Sequence, residues 1–332
     1  MKKNIFKKLS DTSKKVIITA TLCIVLFSCT KSEADNNTDN NTGTKLATIT
    51  AQVASNTSFS TLNTALIKAN LTSTLDGAGP FTVFAPTDEA FTASGIDATL
   101  LNSLSADQVK AILLYHTLGA KVMAADVPAG PNAKVITAGG DSIFITKNTA
   151  GVFINGIKVK TADIPASNGV VHTMSNVLMP PLGNIVQIAT ADTSFSFLLA
   201  AVVKASTGSI DVASVLSSGV FTLFAPTNNA FRAAGFASID DIYAVNPEAL
   251  ITILKYHVVF GRIFSSDFSV TNLSNNSIKP FTLTGSQLTI SISSNGAANI
   301  KGNQNLTTAN LIKSNIMATN GVVHVVDQVL LD

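Results

Sequence analysis

Four histidines are the residues of this chain whose type and spacing most readily suggest chemistry. His116 and His257 each follow a tyrosine, and His172 and His324 each end an Asn-Gly-Val-Val-His sequence. Two histidines in each half of a chain could hold a metal ion or exchange protons with a substrate. The pattern therefore raises one candidate metal or catalytic site per half.

The periodicity around the histidines favours a different interpretation. His116 follows Val109, Ile112 and Leu113 at the spacing of one helix face, and His257 ends a similar apolar stripe. His172 and His324 lie in valine-rich segments with strand alternation. Three interpretations stay open, namely a buried histidine with both nitrogens hydrogen-bonded, a binding-surface residue and a metal ligand. The buried histidine is favoured, because the apolar periodicity directs these residues toward the core. No HExxH-type ligand spacing occurs, so we predict no metal site.

An acidic pair, Asp88-Glu89, is the second candidate for proton transfer. It follows an apolar segment and precedes a predicted helix, where acids favourably meet the helix dipole. The corresponding residues later in the chain are Asn228-Asn229, which cannot exchange protons at neutral pH. The chain also lacks G-x-S-x-G, P-loop, G-x-G-x-x-G and C-x-x-C sequences. We therefore predict no enzyme activity, no catalytic residues and no cofactor.

The basic charge of the chain is concentrated at its start. Of 22 Lys and Arg, six precede residue 16, and they are followed by an apolar run over residues 16–27 and then by Cys29. That run is too short to span a bilayer, and Leu-Phe-Ser-Cys resembles a bacterial lipobox. Residues 1–28 are therefore predicted to be a lipoprotein signal peptide, and Cys29 the lipidated residue that anchors the chain in a membrane. An ordinary secretory signal is the alternative.

Removing residues 1–28 changes the charge arithmetic. The leader holds six lysines and one aspartate, so 16 basic and 19 acidic residues remain, with a net charge of −3. No Lys/Arg cluster remains, which excludes nucleic-acid binding.

Residues 29–44 are almost free of apolar side chains and are predicted to be a flexible tether. The predicted location is the outer membrane, facing the cell surface.

The rest of the chain consists of two copies of one unit. Phe-Thr-Val-Phe-Ala-Pro-Thr at 81–87 recurs as Phe-Thr-Leu-Phe-Ala-Pro-Thr at 221–227, and three further motifs recur in the same order. We predict domains at 45–181, called copy one, and at 182–332, called copy two. Pro180-Pro181 marks the predicted junction, because proline continues neither a helix nor an inner strand.

The local pattern within a copy predicts an α+β fold, with helices first and strands later. A helix is predicted over Phe59–Ala69 and a strand over Phe81–Phe84. Thr87 is a predicted N-cap, and Ser105-Ala-Asp-Gln fits a capping box. Two short apolar segments separated by Asn155-Gly156 predict a hairpin with a type I′ turn.

The ordered motifs F-T-V/L-F-A-P-T-x-x-A-F, Tyr-His and N-G-V-V-H resemble the fasciclin (FAS1) domain family in both copies. This resemblance implies tandem FAS1 domains, each a compact β-sandwich or wedge with several packed helices. It also implies receptor binding near the Tyr-His pairs. The implied interaction residues are Tyr115, His116, Tyr256 and His257, with neighbours Leu114, Thr117, Leu118, Lys255, Val258 and Val259; the motif residues of structural importance are Pro86, Thr87, Asn168, His172, Pro226, Thr227, Asn320 and His324.

The leading functional hypothesis is a membrane-anchored, cell-surface adhesion or binding lipoprotein whose ligand is an extracellular protein or polysaccharide. The alternative is a glycan-binding accessory protein of an outer-membrane uptake system. Against the alternative, the chain has no Trp and three Tyr, so aromatic platforms for sugars are scarce. One departure from the family pattern is the Ser/Asn-rich stretch from Ser265 to Ser277, which is longer than its counterpart in copy one.

Overall fold

The computed structural model describes residues 46–268, 277–293 and 296–332. The signal peptide, Cys29 and the tether lie outside the described residues, as do residues 269–276 of the Ser/Asn-rich stretch. Each copy forms its own seven-stranded sheet with helices packed against it, so the α+β prediction and the tandem arrangement are confirmed. The exact domain boundaries stay a prediction.

Copy one begins with helices and ends with strands, apart from one early strand. The predicted helix Phe59–Ala69 is a 3₁₀ turn, Thr57–Phe59, followed by an α-helix, and the predicted strand from Phe81 continues to Pro86. The helices are α1 Ile49–Ser55, α2 Ser60–Lys68, α3 Thr72–Leu75, α4 Asp88–Ala93, α5 Ala98–Ser103 and α6 Ala106–Tyr115; the strands are β1 Phe81–Pro86, β2 Thr117–Leu118, β3 Gly130–Ile136, β4 Ser142–Asn148, β5 Gly151–Ile154, β6 Ile157–Ala166 and β7 Gly169–Met174.

Copy two repeats this order. Its early strand again precedes three helices, and its remaining strands again come last. The helices are α7 Ile185–Ala191, α8 Ser196–Ala205, α9 Val212–Ser218, α10 Asn228–Ala233, α11 Ile239–Ala244 and α12 Pro247–Tyr256, with 3₁₀ turns Thr193–Phe195 and Ser265–Asp267; the strands are β8 Phe221–Pro226, β9 Val258–Phe260, β10 Ser277–Ile278, β11 Thr289–Ile292, β12 Ala298–Lys301, β13 Ala309–Ala318 and β14 Gly321–Val326.

The early strand of each copy lies beside the last strand. The sheet order in copy one is β2-β1-β7-β6-β5-β4-β3, and the β1–β7 pair is parallel while its other pairs are antiparallel. Copy two has the same order, with β8 parallel to β14. An early strand and the last strand of each copy therefore lie side by side as the second and third strands of its sheet, which joins segments that are distant in the chain.

These paired strands are buried on both faces. Val83 and Val171 face the core formed with the helices, whereas Phe84 and Met174 face a second core shared with Ile145 of β4. Because β1 and β4 are not neighbours in the sheet, side chains from both can share one core only if the sheet is strongly curved. Register shifts in β6 and β13 supply the bend, because bulges increase strand twist and curvature.

The predicted local signals are observed. The Thr87 hydroxyl accepts a hydrogen bond from the Ala90 N–H, and Ser105 forms a capping box with Gln108. The turn between β5 and β6 has positive φ at Asn155 (50°) and Gly156 (76°), as a type I′ turn requires. Short-range rules therefore explain the starts of the helices and the hairpin.

Within the described ranges, no single helix is long and apolar enough to cross a membrane. The helix pair Ile185–Ala191 and Thr193–Ala205 reaches the necessary length and composition only when both parts are counted together, and a 101° bend separates them.

Candidate functional site

All four histidines lie in the interior. Their exposed fractions are 1% for His116, 5% for His172, 1% for His257 and 0% for His324. This agrees with the burial that the helix and strand periodicity predicts. A buried imidazole needs partners for both nitrogens, so the identity of those partners decides what each histidine does.

His116 joins the end of α6 to the C-terminal segment of copy one. Its Nδ1–H donates to the Ile112 carbonyl over 2.8 Å, and its Nε2 accepts the Leu178 N–H at 2.9 Å. Only the neutral imidazole can make both contacts, and burial lowers the pKa of His116 to about 4. His257 has the same arrangement with the Ile253 carbonyl (2.8 Å) and the Leu330 N–H (2.8 Å), and burial lowers its pKa to about 4 as well.

His172 joins β7 to two other segments. Its Nδ1 accepts the Asp163 N–H at 3.1 Å, its Nε2–H donates to the Val122 carbonyl over 2.9 Å, and its ring stacks on Phe84 at 5.7 Å between centroids. The two hydrogen bonds fill the hydrogen-bonding capacity of the ring. His324 repeats them with the Asn315 N–H, the Ile263 carbonyl and the Phe224 ring, and burial lowers its pKa to about 4.

A His-Asp catalytic pair is not formed at this position. The Asp163 Oδ1 lies 3.9 Å from the His172 Nδ1, beyond hydrogen-bond distance, and accepts the Ala124 N–H at 2.8 Å instead. Copy two has Asn315 in the same place, where its side chain accepts the Ser265 N–H. In the described parts of the chain, no group of three or more His, Cys, Asp or Glu is arranged to hold a metal ion.

The acidic pair Asp88-Glu89 also makes contacts that stabilise the fold. Asp88 accepts hydrogen bonds from the Ser60 hydroxyl (2.7 Å) and the Thr61 N–H (2.8 Å), which tie α4 to the start of α2. Burial opposes ionisation of Asp88, but these hydrogen bonds outweigh it and lower its pKa. Glu89 is exposed and pairs with Lys160 at 2.9 Å. In copy two, Asn228 takes the role of Asp88 by accepting the Phe197 N–H at 3.0 Å.

The two tyrosines of the Tyr-His pairs are buried as well. The Tyr115 hydroxyl donates to the Ser142 carbonyl and accepts from the Asn155 amide, and the Tyr256 hydroxyl donates to the Gln287 carbonyl. Burial raises the pKa of both phenols. Of the flanking residues, Thr117, Leu118, Val258 and Val259 are also buried, whereas Leu114 and Lys255 are half-buried. Most of the predicted interaction residues therefore lie in the interior, and their role in binding stays a prediction.

The remaining motif residues hold each copy together. The Asn168 side chain accepts the Ile49 N–H and donates to the Leu75 and Gly77 carbonyls, which fixes the first helix to the last strand. Asn320 makes the corresponding contacts with the Ile185 N–H and the Leu216 and Gly219 carbonyls; Pro86 and Pro226 end β1 and β8, and Thr87 and Thr227 cap the helices that follow.

An exposed aromatic pair, which no sequence pattern indicated, lies beside the buried Tyr-His motif of copy two. Phe260 is 60% exposed and Phe281 is 58% exposed. An antiparallel bridge between Val259 and Thr282 places these two phenylalanines opposite each other on neighbouring segments. Phe260 also packs on Phe221, at 6.0 Å between ring centroids. We call Phe260 and Phe281 the aromatic pair.

Copy one does not have this pair. Gly119 follows Tyr115 by four residues, as Phe260 follows Tyr256. Ile136, which is 55% exposed, precedes Thr137, whose hydroxyl binds the Asp141 carbonyl as that of Thr282 binds the Ser286 carbonyl. The sequence places Phe260 in the segment that follows Tyr-His, which is a weak signal for an aromatic contact. It does not show that Phe281, from a later segment, is the neighbour of Phe260.

Comparison with known proteins shows a match to the Fasciclin domain model over residues 57–180 and again over residues 194–332. The chain is 39% identical over 131 residues to protein sll1483 of Synechocystis, an alignment that covers 39% of this chain and 71% of that protein. It is 29% identical over 264 residues to the transforming growth factor-beta-induced protein ig-h3 of Oryctolagus cuniculus, covering 77% of this chain but only 35% of that protein.

Among solved structures, a FAS1 domain pair from the insect cell adhesion molecule Fasciclin I aligns with 83% of this chain and 97% of its own length. The sequence identity is 18% and the TM-score is 0.40.

Proposed function

The chain belongs to the fasciclin domain family, and we propose from this premise that it is a non-enzymatic adhesion or binding protein with two FAS1 domains. The observation that carries the proposal is that every histidine is engaged in hydrogen bonds that join segments of its own domain. The residues best suited to proton transfer thus stabilise the fold. A binding partner would therefore contact the exposed residues of each domain.

The aromatic pair is the proposed contact surface of copy two. Phe260 and Phe281 are each more than half exposed, and phenylalanine is enriched in protein–protein interfaces relative to the rest of the surface. Only 13% of residues are charged, so short-range apolar and hydrogen-bonding contacts are better supported than electrostatic steering. The proposed ligand is therefore an extracellular protein with an apolar contact patch.

The glycan-binding alternative receives less support. Aromatic platforms for sugar rings most often use Trp or Tyr, and this chain has no Trp. Tyr115 and Tyr256 are buried, which leaves Tyr243, at 45% exposure, among the three tyrosines. Binding to a polysaccharide is thus an outcome for the experiment rather than the leading proposal.

Membrane anchoring is the second part of the proposal. Acylation of Cys29 would hold the chain at the outer membrane, and residues 29–44 would separate the domains from the bilayer. Replacement of Cys29 by alanine should release the protein from the membrane fraction and abolish incorporation of labelled palmitate. Protease digestion of the domains on intact cells tests surface exposure, and complete resistance would contradict it.

Ligand binding can be tested with the full chain in detergent and arrays of extracellular proteins and polysaccharides. We expect retention of a protein ligand, and we expect F260A/F281A to reduce that retention. Ile136→Ala, at the corresponding position of copy one, is the matched control and should leave binding unchanged. Equal binding by F260A/F281A would overturn the proposed surface, and retention only on polysaccharides would favour the glycan-binding alternative.

A further inference from the structure

The two copies contact each other through a segment of copy two that lies on the outer face of the copy-one sheet. The Asp267 carboxylate accepts hydrogen bonds from the Thr146 hydroxyl at 3.0 Å and from the Asn132 amide at 3.3 Å. The Asn132 amide also donates to the Arg262 carbonyl at 2.8 Å, and the Asn148 amide donates to the Ser266 carbonyl at 3.0 Å. These polar contacts join β3 and β4 of copy one to residues 262–267 of copy two.

An aromatic and cationic contact accompanies the hydrogen bonds. The Arg262 guanidinium lies 4.5 Å from the centre of the Phe144 ring, and the ring of Phe264 lies 6.1 Å from that of Phe144. Phe144 also packs against the buried cluster of Phe264, Met317 and Val322 in copy two. Cation–π and aromatic contacts have preferred geometries, so this group restricts the relative orientation of the copies more than hydrogen bonds alone would.

The equivalent surfaces of the two copies are not interchangeable. In copy one, Asp126 accepts the Met123 N–H just as Asp267 accepts the Phe264 N–H, so the docking segment keeps its local fold. The aromatic and guanidinium groups are lost, however, because Met123 and Lys121 replace Phe264 and Arg262. On the sheet face, Thr289 of copy two takes the position that Phe144 has in copy one. This correspondence follows from the strand pairing, because the pair Ile278–Ile290 in copy two matches the pair Ala133–Ile145 in copy one.

We infer that the two domains form one rigid body in a fixed order, in which copy two docks on copy one through Asp267, Arg262 and Phe264. One outer sheet face is thereby covered by the sister domain. The corresponding face of copy two, which carries Thr289 and Ser291, lacks the aromatic anchor for a further domain. The chain therefore presents its two exteriors at one fixed relative orientation, instead of two independent modules on a flexible linker.

Distance measurement between spin labels tests this inference. The full chain in detergent would carry Cys23→Ser and Cys29→Ser, which removes its two cysteines, and labels at Lys110→Cys on α6 and Thr252→Cys on α12, both exposed positions. Pulsed electron paramagnetic resonance should give one narrow distance distribution. A broad distribution in this protein would overturn the inference.

Two variants and a control connect the rigidity to the named contacts. Phe144→Thr introduces the residue that copy two has at the same position, and Asp267→Ala removes the interdomain acceptor; together they should abolish the narrow peak. Asp126→Ala removes the same local cap in copy one without an interdomain contact and should leave the distribution narrow. Phe144→Thr alone serves if the double variant does not fold. An unchanged narrow peak in the interface variants would overturn the role of these residues.

Discussion

The Nε2 atom of His116 accepts a hydrogen bond from the backbone N–H of Leu178, which lies 62 residues later in the chain. In copy two, His257 accepts the N–H of Leu330 across 73 residues. Each contact fixes the last segment of a domain to the C-terminal end of a helix, which is α6 in copy one and α12 in copy two. The histidine of the Tyr-His motif therefore maintains the fold, and any effect of its mutation on binding has to be separated from an effect on stability.

Replacement of His116 by alanine should destabilise the protein by about 3 kcal/mol, because it leaves the buried Leu178 N–H without a partner and opens a cavity. Urea denaturation followed by circular dichroism measures the change. Lys110→Ala, on the exposed side of the same helix, should change the free energy of unfolding by no more than about 0.5 kcal/mol. Unchanged stability in His116→Ala would show that the histidine acts outside the core.

Stability should fall as the pH is lowered from about 6.5 to about 4. Burial lowers the pKa of His116, His257 and His324 from 6.5 to about 4, so the unfolded chain binds protons in this interval while the folded chain does not. Above pH 6.5 the contribution is fully present, and below pH 4 the loss levels off. Each histidine contributes about 3 kcal/mol at most.

Urea midpoints measured between pH 7.5 and 4 test this dependence. The Asp88 carboxylate, whose pKa is lowered, loses its contribution only at more acidic pH, below its ordinary value of 3.8. The two effects are therefore separable. Constant or rising stability on acidification from pH 6.5 to 4 would contradict the assignment of neutral, buried histidines.

Asn168→Ala should destabilise copy one by about 3 kcal/mol, because it removes three hydrogen bonds that connect the last strand to the first helix and to α3. Hydrogen exchange at the Ile49 amide should accelerate in the variant. Asn102→Ala, at an exposed position of α5, is the control and should behave like the parent. Parent-like exchange at Ile49 in Asn168→Ala would show that the side-chain contact does not restrain the helix.

Gly169→Ala should disrupt the parallel pairing of β1 and β7. A Cβ at residue 169 would collide with the Phe81 carbonyl oxygen, which belongs to rigid backbone. We expect a loss of at least about 3 kcal/mol, or failure to fold. Gly119→Ala is the matched control, since a Cβ there meets no atom within 4 Å. Thermal unfolding of both variants measures the difference, and equal melting temperatures would contradict the predicted collision.

Local sequence signals predicted part of the fold with accuracy. The Thr87 cap, the Ser105 capping box and the Asn155-Gly156 turn all depend on residues at most three positions apart, so composition and spacing are sufficient. The parallel pairing of Phe81–Pro86 with Gly169–Met174 was not predicted. The two strands are far apart in the chain, and neither pattern specifies its partner.

The candidate site shows the same division. Helical phase predicted that His116 is buried, but it could not identify Leu178 as its partner. The aromatic pair was missed because Phe260 and Phe281 become neighbours only through the bridge between Val259 and Thr282. Exposure is also a tertiary property, since the adjacent Phe221 has the same side chain and is buried.

The sequence by itself determined the duplication, the membership of the fasciclin family and the inward orientation of the histidines. These follow from repetition and from periodicity, which specify a face of a helix or strand. Only the tertiary structure decided which atoms satisfy His116 and His324, which phenylalanines remain exposed, and that Asp267 contacts Thr146 of the other copy. The physical reason is that a periodic pattern encodes a direction toward the core, whereas a partner depends on the register between segments that are distant in the chain.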